Sequence, residues 1–168
     1  MRRLTRGLRK GSGLLLIVMI FIWGADRLRA PTLPEDLAAV PVTGMNDANL
    51  NLAELSQSQP LLVYVWASWC NICKLTTRSV ANLIAEGKPV LSVAIRSGDD
   101  AQVETWMRKK SLNGPGINDQ RGELAQRWDI AATPTFIVLY KGKVVSTTSG
   151  WTSGWGLTLR LWWAKHST

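Results

Sequence analysis

Short, nearly continuous apolar runs alternate along the chain with segments that have helical periodicity. Residues 61–66 read Leu-Leu-Val-Tyr-Val-Trp, which is typical of a central strand covered on both faces. Residues 90–95 form a second run of this kind. Between the two, a helix is predicted from Cys70 until Gly87-Lys88-Pro89 ends it. This alternation of strand and helix indicates an α/β fold.

Turn residues predict a β-hairpin near each end of the alternating region. The first hairpin joins residues 40–43 to 49–52, and the second joins residues 136–140 to 144–148. Further helices are predicted at residues 52–56, 99–110 and 155–165, and a short helix within residues 118–128, with a turn at 113–116. The resulting order implies a mixed central sheet flanked by helices, with an N-terminal hairpin and an inserted helix.

The first thirty residues combine a basic cluster with an apolar segment. Residues 1–10 carry five Lys or Arg, and residues 14–23 contain no polar side chain apart from Trp23. No small-x-small cleavage motif follows, so we expect an uncleaved signal anchor in the bacterial inner membrane, with a removed signal peptide as the alternative. The predicted organisation is a cytoplasmic N-terminus (1–12), a transmembrane segment (13–29), a linker (30–39) and a periplasmic domain (40–168).

The net charge of +8 reflects this topology rather than a nucleic-acid partner. Residues 1–30 hold seven of the twenty Lys and Arg and one of the twelve acids. The remaining residues therefore have thirteen basic and eleven acidic side chains. We expect no nucleic acid to bind this chain.

The two cysteines of the chain stand in the sequence Trp69-Cys70-Asn71-Ile72-Cys73, directly after the first predicted core strand. A cysteine at a helix N-terminus meets free backbone N–H groups and the positive end of the helix dipole. That placement favours the thiolate and can lower a thiol pKa from about 8.5 to between about 3.5 and 7.5. Cys73 lies three residues on, on the same helix face, where it can close a disulfide. The pair therefore predicts thiol redox chemistry.

Metal binding is the main alternative for this pair. Structural zinc takes four ligands, and the only histidine, His166, stands near the C-terminus. Thiolates suit Cu(I), so a copper-relay role is a further alternative. No methionine or histidine adjoins the pair to complete such a site. We expect neither a resident metal nor a cofactor.

Four tryptophans lie close together near the C-terminus: Trp151, Trp155, Trp162 and Trp163. They are predicted to be core and surface-covering residues. A role at a membrane interface is the alternative, because aromatic side chains mark such interfaces.

The order of elements, the Trp-Cys-x-x-Cys motif and Thr133-Pro134 before the closing hairpin together resemble the thioredoxin fold. With the N-terminal hairpin, the inserted helix and the anchor, the chain is similar to membrane-anchored, TlpA-like thioredoxins. Three stretches, at residues 60–73, 96–100 and 150–153, resemble a copper-tolerance branch of that family.

This resemblance implies a membrane-tethered protein disulfide oxidoreductase. It implies an attacking thiolate at Cys70 and a resolving thiol at Cys73, which form the redox-active disulfide. The supporting residues that it implies are Trp69, Asn71, Ile72, Thr133 and a cis Pro134. It also implies protein dithiols or disulfides as substrates, a transmembrane thiol reductase as electron donor, and a pathway of copper tolerance.

Two positions depart from related families. Thioredoxins proper carry a buried acid where this chain has Tyr64, and reductants of cytochrome c maturation typically have a glutamate at the position of Thr76. Proton transfer during resolution is therefore unassigned. A reductant for cytochrome c maturation and a non-catalytic copper- or zinc-binding thiol protein are the alternative functions.

Overall fold

The computed structural model describes Ile17, Gly24, Pro31, residues 33–39 and residues 41–167. The chain divides into two units, Met1–Ala30 and Pro31–Thr168. The predicted N-terminus (1–12) and transmembrane segment (13–29) thus lie outside the described residues, apart from Ile17 and Gly24. Among the described residues, no helix has both the length and the apolar character needed to cross a membrane.

The elements of the second unit follow the predicted order with one addition. They are β1 (Val42–Thr43), a 3₁₀ turn (Met45–Asp47), β2 (Asn49–Leu50), α1 (Leu52–Leu55), β3 (Leu61–Trp66), α2 (Asn71–Ala85), β4 (Val90–Ile95), α3 (Asp100–Lys109), β5 (Gly116–Asp119), α4 (Glu123–Arg127), β6 (Thr135–Tyr140), β7 (Lys143–Ser149) and α5 (Gly154–His166). Strands β1 and β2 pair as the predicted N-terminal hairpin.

A five-stranded mixed sheet, in the order β5-β4-β3-β6-β7, forms the centre of this unit. Strand β4 runs parallel to β3 and β5, whereas β6 runs antiparallel to β3 and β7. Every residue of β3, β4 and β6 is buried, as expected for apolar runs covered on both faces. The predicted α/β fold with a mixed central sheet is confirmed.

Successive side chains of β3 enter two different hydrophobic cores, because side chains alternate between the faces of a sheet. Tyr64 and Trp66 join the core that includes residues of α2, α3 and α5. Val63 and Val65 join the core that includes residues of α1 and α4. Helices therefore cover both faces of the sheet.

The structure corrects the prediction between residues 113 and 128. Gly116–Asp119 is a strand, not predicted from sequence, that pairs in parallel with β4, whereas the short helix Glu123–Arg127 lies within the predicted range 118–128. Glycine, asparagine and aspartate are depleted in strands, so the composition of β5 gave no strand signal. Burial of Ile117 and pairing with β4 define this edge strand instead.

Residues 33–39, which the sequence analysis assigned to the linker, pack on the second unit. Leu37 is 2% exposed, and both Leu37 and Ala38 belong to the core beside α1 and α4. The Leu37 backbone N–H donates to the carbonyl of Pro34 (3.2 Å) in a turn. The packed part of the chain therefore begins before residue 40.

The C-terminal tryptophans are more exposed than predicted. Trp155 is 86% exposed, and Trp151, Trp162 and Trp163 are each more than half exposed. The buried side of α5 consists instead of Leu157, Leu161 and Ala164. The prediction that these tryptophans contribute to the core is wrong.

Candidate active site

Cys70 is the N-cap residue of α2, directly after the turn that follows β3. Its Sγ accepts a hydrogen bond from the backbone N–H of Cys73 (3.1 Å), one of the amides that a helix leaves unpaired in its first turn. Cys70 and Cys73 are joined by a disulfide. Cys70 retains a small exposed area, whereas Cys73 is fully buried. Of the two cysteines, Cys70 is therefore the one with area open to a partner.

The Thr133-Pro134 peptide is cis and lies beside this sulfur. The carbonyl oxygen of Thr133 is 3.4 Å from Cys70 Sγ. The loop is held in place from β7, because the Gly150 N–H donates to the Pro134 carbonyl (2.8 Å) and Thr135 Oγ1 lies 2.7 Å from Ser149 Oγ. Backbone groups next to Cys70 thus have fixed positions.

The other predicted support residues surround the cysteine pair at the surface. Trp69 is 62% exposed, yet its Nε1–H donates to the Arg96 carbonyl (3.1 Å), which fixes the ring. Ile72 is exposed on the first turn of α2. Asn71 is also exposed, and its Oδ1 accepts from Lys74 Nζ (3.1 Å). The structure therefore brings all seven predicted site residues to the same end of the sheet, where β3 ends and β6 begins.

Arg96 and Ser97 belong to this site although their roles were not predicted. Ser97 Oγ accepts from the Ser68 N–H (2.9 Å) and donates to the Ile95 carbonyl (2.9 Å). Arg96 adopts a positive φ of 45°, uncommon for a residue with a side chain, and its carbonyl receives the Trp69 bond. Both follow β4, and neighbouring parallel strands end at the same edge of a sheet. No sequence pattern indicates these contacts, since they join residues almost thirty positions apart.

Beneath the first turn of α2 lies a buried network of neutral hydroxyl groups. The Tyr64 hydroxyl is 2.9 Å from Thr77 Oγ1, 3.3 Å from Thr76 Oγ1 and 3.2 Å from the Cys73 carbonyl oxygen. Burial raises the pKa of the Tyr64 phenol above its usual value, and the bonds to the two threonines oppose that effect. The two positions that depart from related families, Tyr64 and Thr76, are therefore in contact with each other.

A cleft of about 380 Å³ adjoins the cysteine pair. Its walls include Trp69 and Thr133 on the active-site side, and Ala125, Gln126 and Ile130 on the side of α4. Within the described part of the chain, no three His, Cys, Asp or Glu side chains come together as a metal site would require.

A disulfide at the start of a helix, next to a cis-proline loop and on a mixed sheet covered by helices, defines the class of thioredoxin-fold thiol–disulfide oxidoreductases. The family model for Redoxin matches residues 32–152, and the chain belongs to the Redoxin family. It is an enzyme of the thioredoxin-like thiol–disulfide oxidoreductase type.

Similarity to individual proteins agrees with this assignment. A thioredoxin-like protein of Haemophilus influenzae is 36% identical over 97% of this chain and 98% of its own length. The thiol:disulfide interchange protein DsbE of Pseudomonas fluorescens is 28% identical, over 78% of this chain and 77% of its own. A secreted disulfide oxidoreductase of Mycobacterium tuberculosis has the same fold, with a TM-score of 0.63 and 20% identity over 76% of this chain and 98% of that chain.

Proposed function

We propose that this chain is a periplasmic protein disulfide oxidoreductase tethered to the inner membrane, with Cys70 as the nucleophile and Cys73 as the resolving thiol. The observation that carries the roles is the difference between the two sulfurs. Cys70 lies at the helix N-cap with some exposed area, while Cys73 is fully buried in the first turn. Helix N-terminal placement favours the thiolate that must attack.

The proposed reaction begins with the reduced pair. The Cys70 thiolate attacks one sulfur of a substrate disulfide, forms a mixed disulfide and releases the other substrate sulfur as a thiolate. Cys73 then loses its proton and attacks Cys70 Sγ, which releases the second substrate thiolate and leaves the Cys70–Cys73 disulfide. Two electrons pass from the pair to the substrate, and protons taken up by its thiolates balance those lost from the cysteines.

The surface around Cys70 supports binding of an extended substrate segment. Thr133 and Pro134 form a fixed backbone edge beside the sulfur, and an exposed edge can pair with an extended peptide. Trp69 and Ile72 provide exposed apolar contacts on the other side. We propose that the cleft beside Trp69 binds a side chain of the substrate, from a residue next to the substrate cysteine that reacts.

Tethering and pathway rest on the sequence. The basic cluster before an apolar segment of signal length supports a single-pass anchor with the catalytic domain in the periplasm. Residues 60–73, 96–100 and 150–153 resemble suppressor for copper sensitivity protein D, which supports a role in copper tolerance. Because each substrate reduction leaves the pair oxidised, a transmembrane thiol reductase is the proposed electron donor.

Trapping of the mixed disulfide tests the assigned roles. In Cys73→Ser, resolution is blocked, so covalent complexes through Cys70 should accumulate and disappear on adding dithiothreitol. Cys70→Ser is the matched control and should trap nothing. Complexes that persist in Cys70→Ser and need Cys73 would reverse the assignment.

A reductant for cytochrome c maturation is a second candidate, favoured by the relatives named thiol:disulfide interchange protein DsbE. Thr76 weighs against it, because a neutral hydroxyl occupies the position where those reductants typically carry a glutamate. A deletion strain separates the two: copper sensitivity with normal cytochrome c supports the first function, and loss of cytochrome c supports the second. Titration of the reduced protein with Cu(I), beside an insulin reduction assay, distinguishes both from a non-catalytic metal-binding protein.

A further inference from the structure

Helix α5 carries apolar side chains on two opposite faces. Leu157, Leu161 and Ala164 are buried against the sheet. Trp155, Leu159 and Trp162, spaced four and three residues apart, form a stripe along the exposed side, because positions with this spacing share a helix face. Trp163, next to this stripe, is also exposed. We call these four residues the tryptophan face.

Helices α2 and α5 carry only basic charged side chains within their bounds. All acidic residues of the chain precede residue 130, and residues 130–168 contain four Lys or Arg. Lys165 is exposed in the last turn of α5. Helix α2, which contributes to the same core as α5, has no acidic residue within Asn71–Ala85 and exposes Lys74 and Arg78. The exposed surfaces of α2 and α5 therefore combine apolar and cationic side chains, while Asp100 and Glu104 lie on α3, which contributes to the same core.

This combination fits a lipid surface. Tryptophan concentrates at membrane–water interfaces, and helices that lie on membranes pair Trp and Leu with Lys and Arg. Protein interfaces, in contrast, are depleted in lysine. The cations of α2 and α5 also match the negative potential of anionic lipids.

We propose that the tryptophan face of α5 binds the surface of an anionic lipid bilayer. It is a second membrane contact, separate from the predicted N-terminal anchor. This binding surface excludes Cys70, Cys73 and Thr133, so it does not depend on the roles proposed for them. A catalytic domain held in this way has a fixed orientation toward the membrane.

Quenching of tryptophan fluorescence by lipids with brominated acyl chains tests this contact in the full chain. A Trp23→Phe background removes the tryptophan of the predicted anchor. This protein is reconstituted in phosphatidylcholine vesicles with and without phosphatidylglycerol, and each emission is divided by that in unbrominated lipid. We expect quenching that increases with phosphatidylglycerol and decreases with added salt.

Substitutions locate the quenched residues. Trp155→Ser combined with Trp162→Ser should remove most of the quenching, and Lys165→Glu should lower it in anionic vesicles only. Trp151→Ser is the matched control, since Trp151 is similarly exposed but precedes the helix. Insulin reduction by every variant should stay at the parent level, which shows that the domain is folded and separates this proposal from the redox one.

Three results would overturn the proposal. The first is quenching that is absent, or equal in neutral and anionic vesicles. The second is quenching that Trp151→Ser lowers as much as the double substitution does. The third is unchanged quenching together with an altered oligomeric state in the double variant, which would make the tryptophan face a protein interface.

Discussion

Tyr64 lies directly under the turn that contains the cysteines, with its ring stacked on Phe136 at 5.3 Å between centroids. Its hydroxyl connects β3 to the carbonyl of Cys73 and to two threonines of α2. Replacing a carboxylate by this neutral group removes a buried charge and the cost of its desolvation. The buried bonds between β3 and the start of α2 thus come from hydroxyl groups, and this network, among the described residues, contains no carboxylate to receive a proton lost from Cys73.

Removal of the Tyr64 hydroxyl should change stability in a pH-dependent way. Tyr64→Phe keeps the ring and should lower the free energy of unfolding by about 1 kcal/mol at neutral pH, because buried hydrogen bonds are lost. The folded-state pKa of Tyr64 is raised, so its contribution is intact below the unfolded pKa of about 10 and is lost as the pH rises through the folded value. Above about pH 10, the free energy of unfolding of Tyr64→Phe should therefore decline less steeply with pH than that of the wild type. Urea unfolding at several alkaline pH values measures both effects.

Thr77→Val is the matched control for this experiment. It removes one hydroxyl of the same network and leaves the phenol buried. A similar loss at neutral pH is expected, with the alkaline decline of the wild type retained. An alkaline decline in Tyr64→Phe as steep as that of wild type would show that Tyr64 does not cause it.

At the scale of elements, the short helix α4 depends on a side chain from β5. Its N-cap residue, Gly122, has a φ of 79° and no side chain to cap the helix. The carboxylate of Asp119 replaces this cap by accepting the buried N–H of Ala125 (2.8 Å). Ala125 lines the cleft beside Trp69, so the cap positions one wall of the candidate site.

Loss of this cap should destabilise the domain. Asp119→Ala leaves the Ala125 N–H unpaired in a buried setting, and we expect a loss of about 1–2 kcal/mol in the free energy of unfolding. Asp119→Asn keeps an acceptor oxygen and should lose less. Glu123→Ala removes an exposed ion pair with Arg121 from the same turn and should cost less than about 0.5 kcal/mol. Urea unfolding of the three variants gives the order; equal losses for Asp119→Ala and Glu123→Ala would contradict this role.

The elements that could be predicted from sequence are those with a local signal. Strand β4 has the predicted bounds, and α3 lies within the predicted range 99–110, with Asp99 as its N-cap in a capping box with Gln102. Strand β5 has no such signal, because a neighbouring strand and one buried isoleucine create it. The same division applies to the site: Cys70 and Cys73 follow from one motif, whereas the Ser97 contact with Ser68 depends on the alignment of two strands.

At the scale of the whole molecule, the two hydrophobic cores on either face of the sheet are closed by different parts of the chain. One core packs α2 and α5 on the sheet and leaves the tryptophan face outside. The other is closed by residues that precede the sheet, including Leu37. In residues 33–39, the apolar positions flank proline and acidic residues, a pattern that does not predict burial. The sequence therefore predicts a linker here.

Leu37→Ala tests whether the folded domain starts this early. Leu37 is 2% exposed, so its truncation to alanine should lower the free energy of unfolding by about 2–4 kcal/mol, because a cavity remains in the core. Leu75→Ala, at a position 69% exposed on α2, is the control and should change the free energy of unfolding by less than about 0.5 kcal/mol. Urea unfolding followed by tryptophan emission measures both. If both substitutions lowered the free energy of unfolding by the same small amount, residues 33–39 would be part of the linker and not of the folded domain. The expected large loss would show that the folded domain includes Leu37, ahead of the first hairpin.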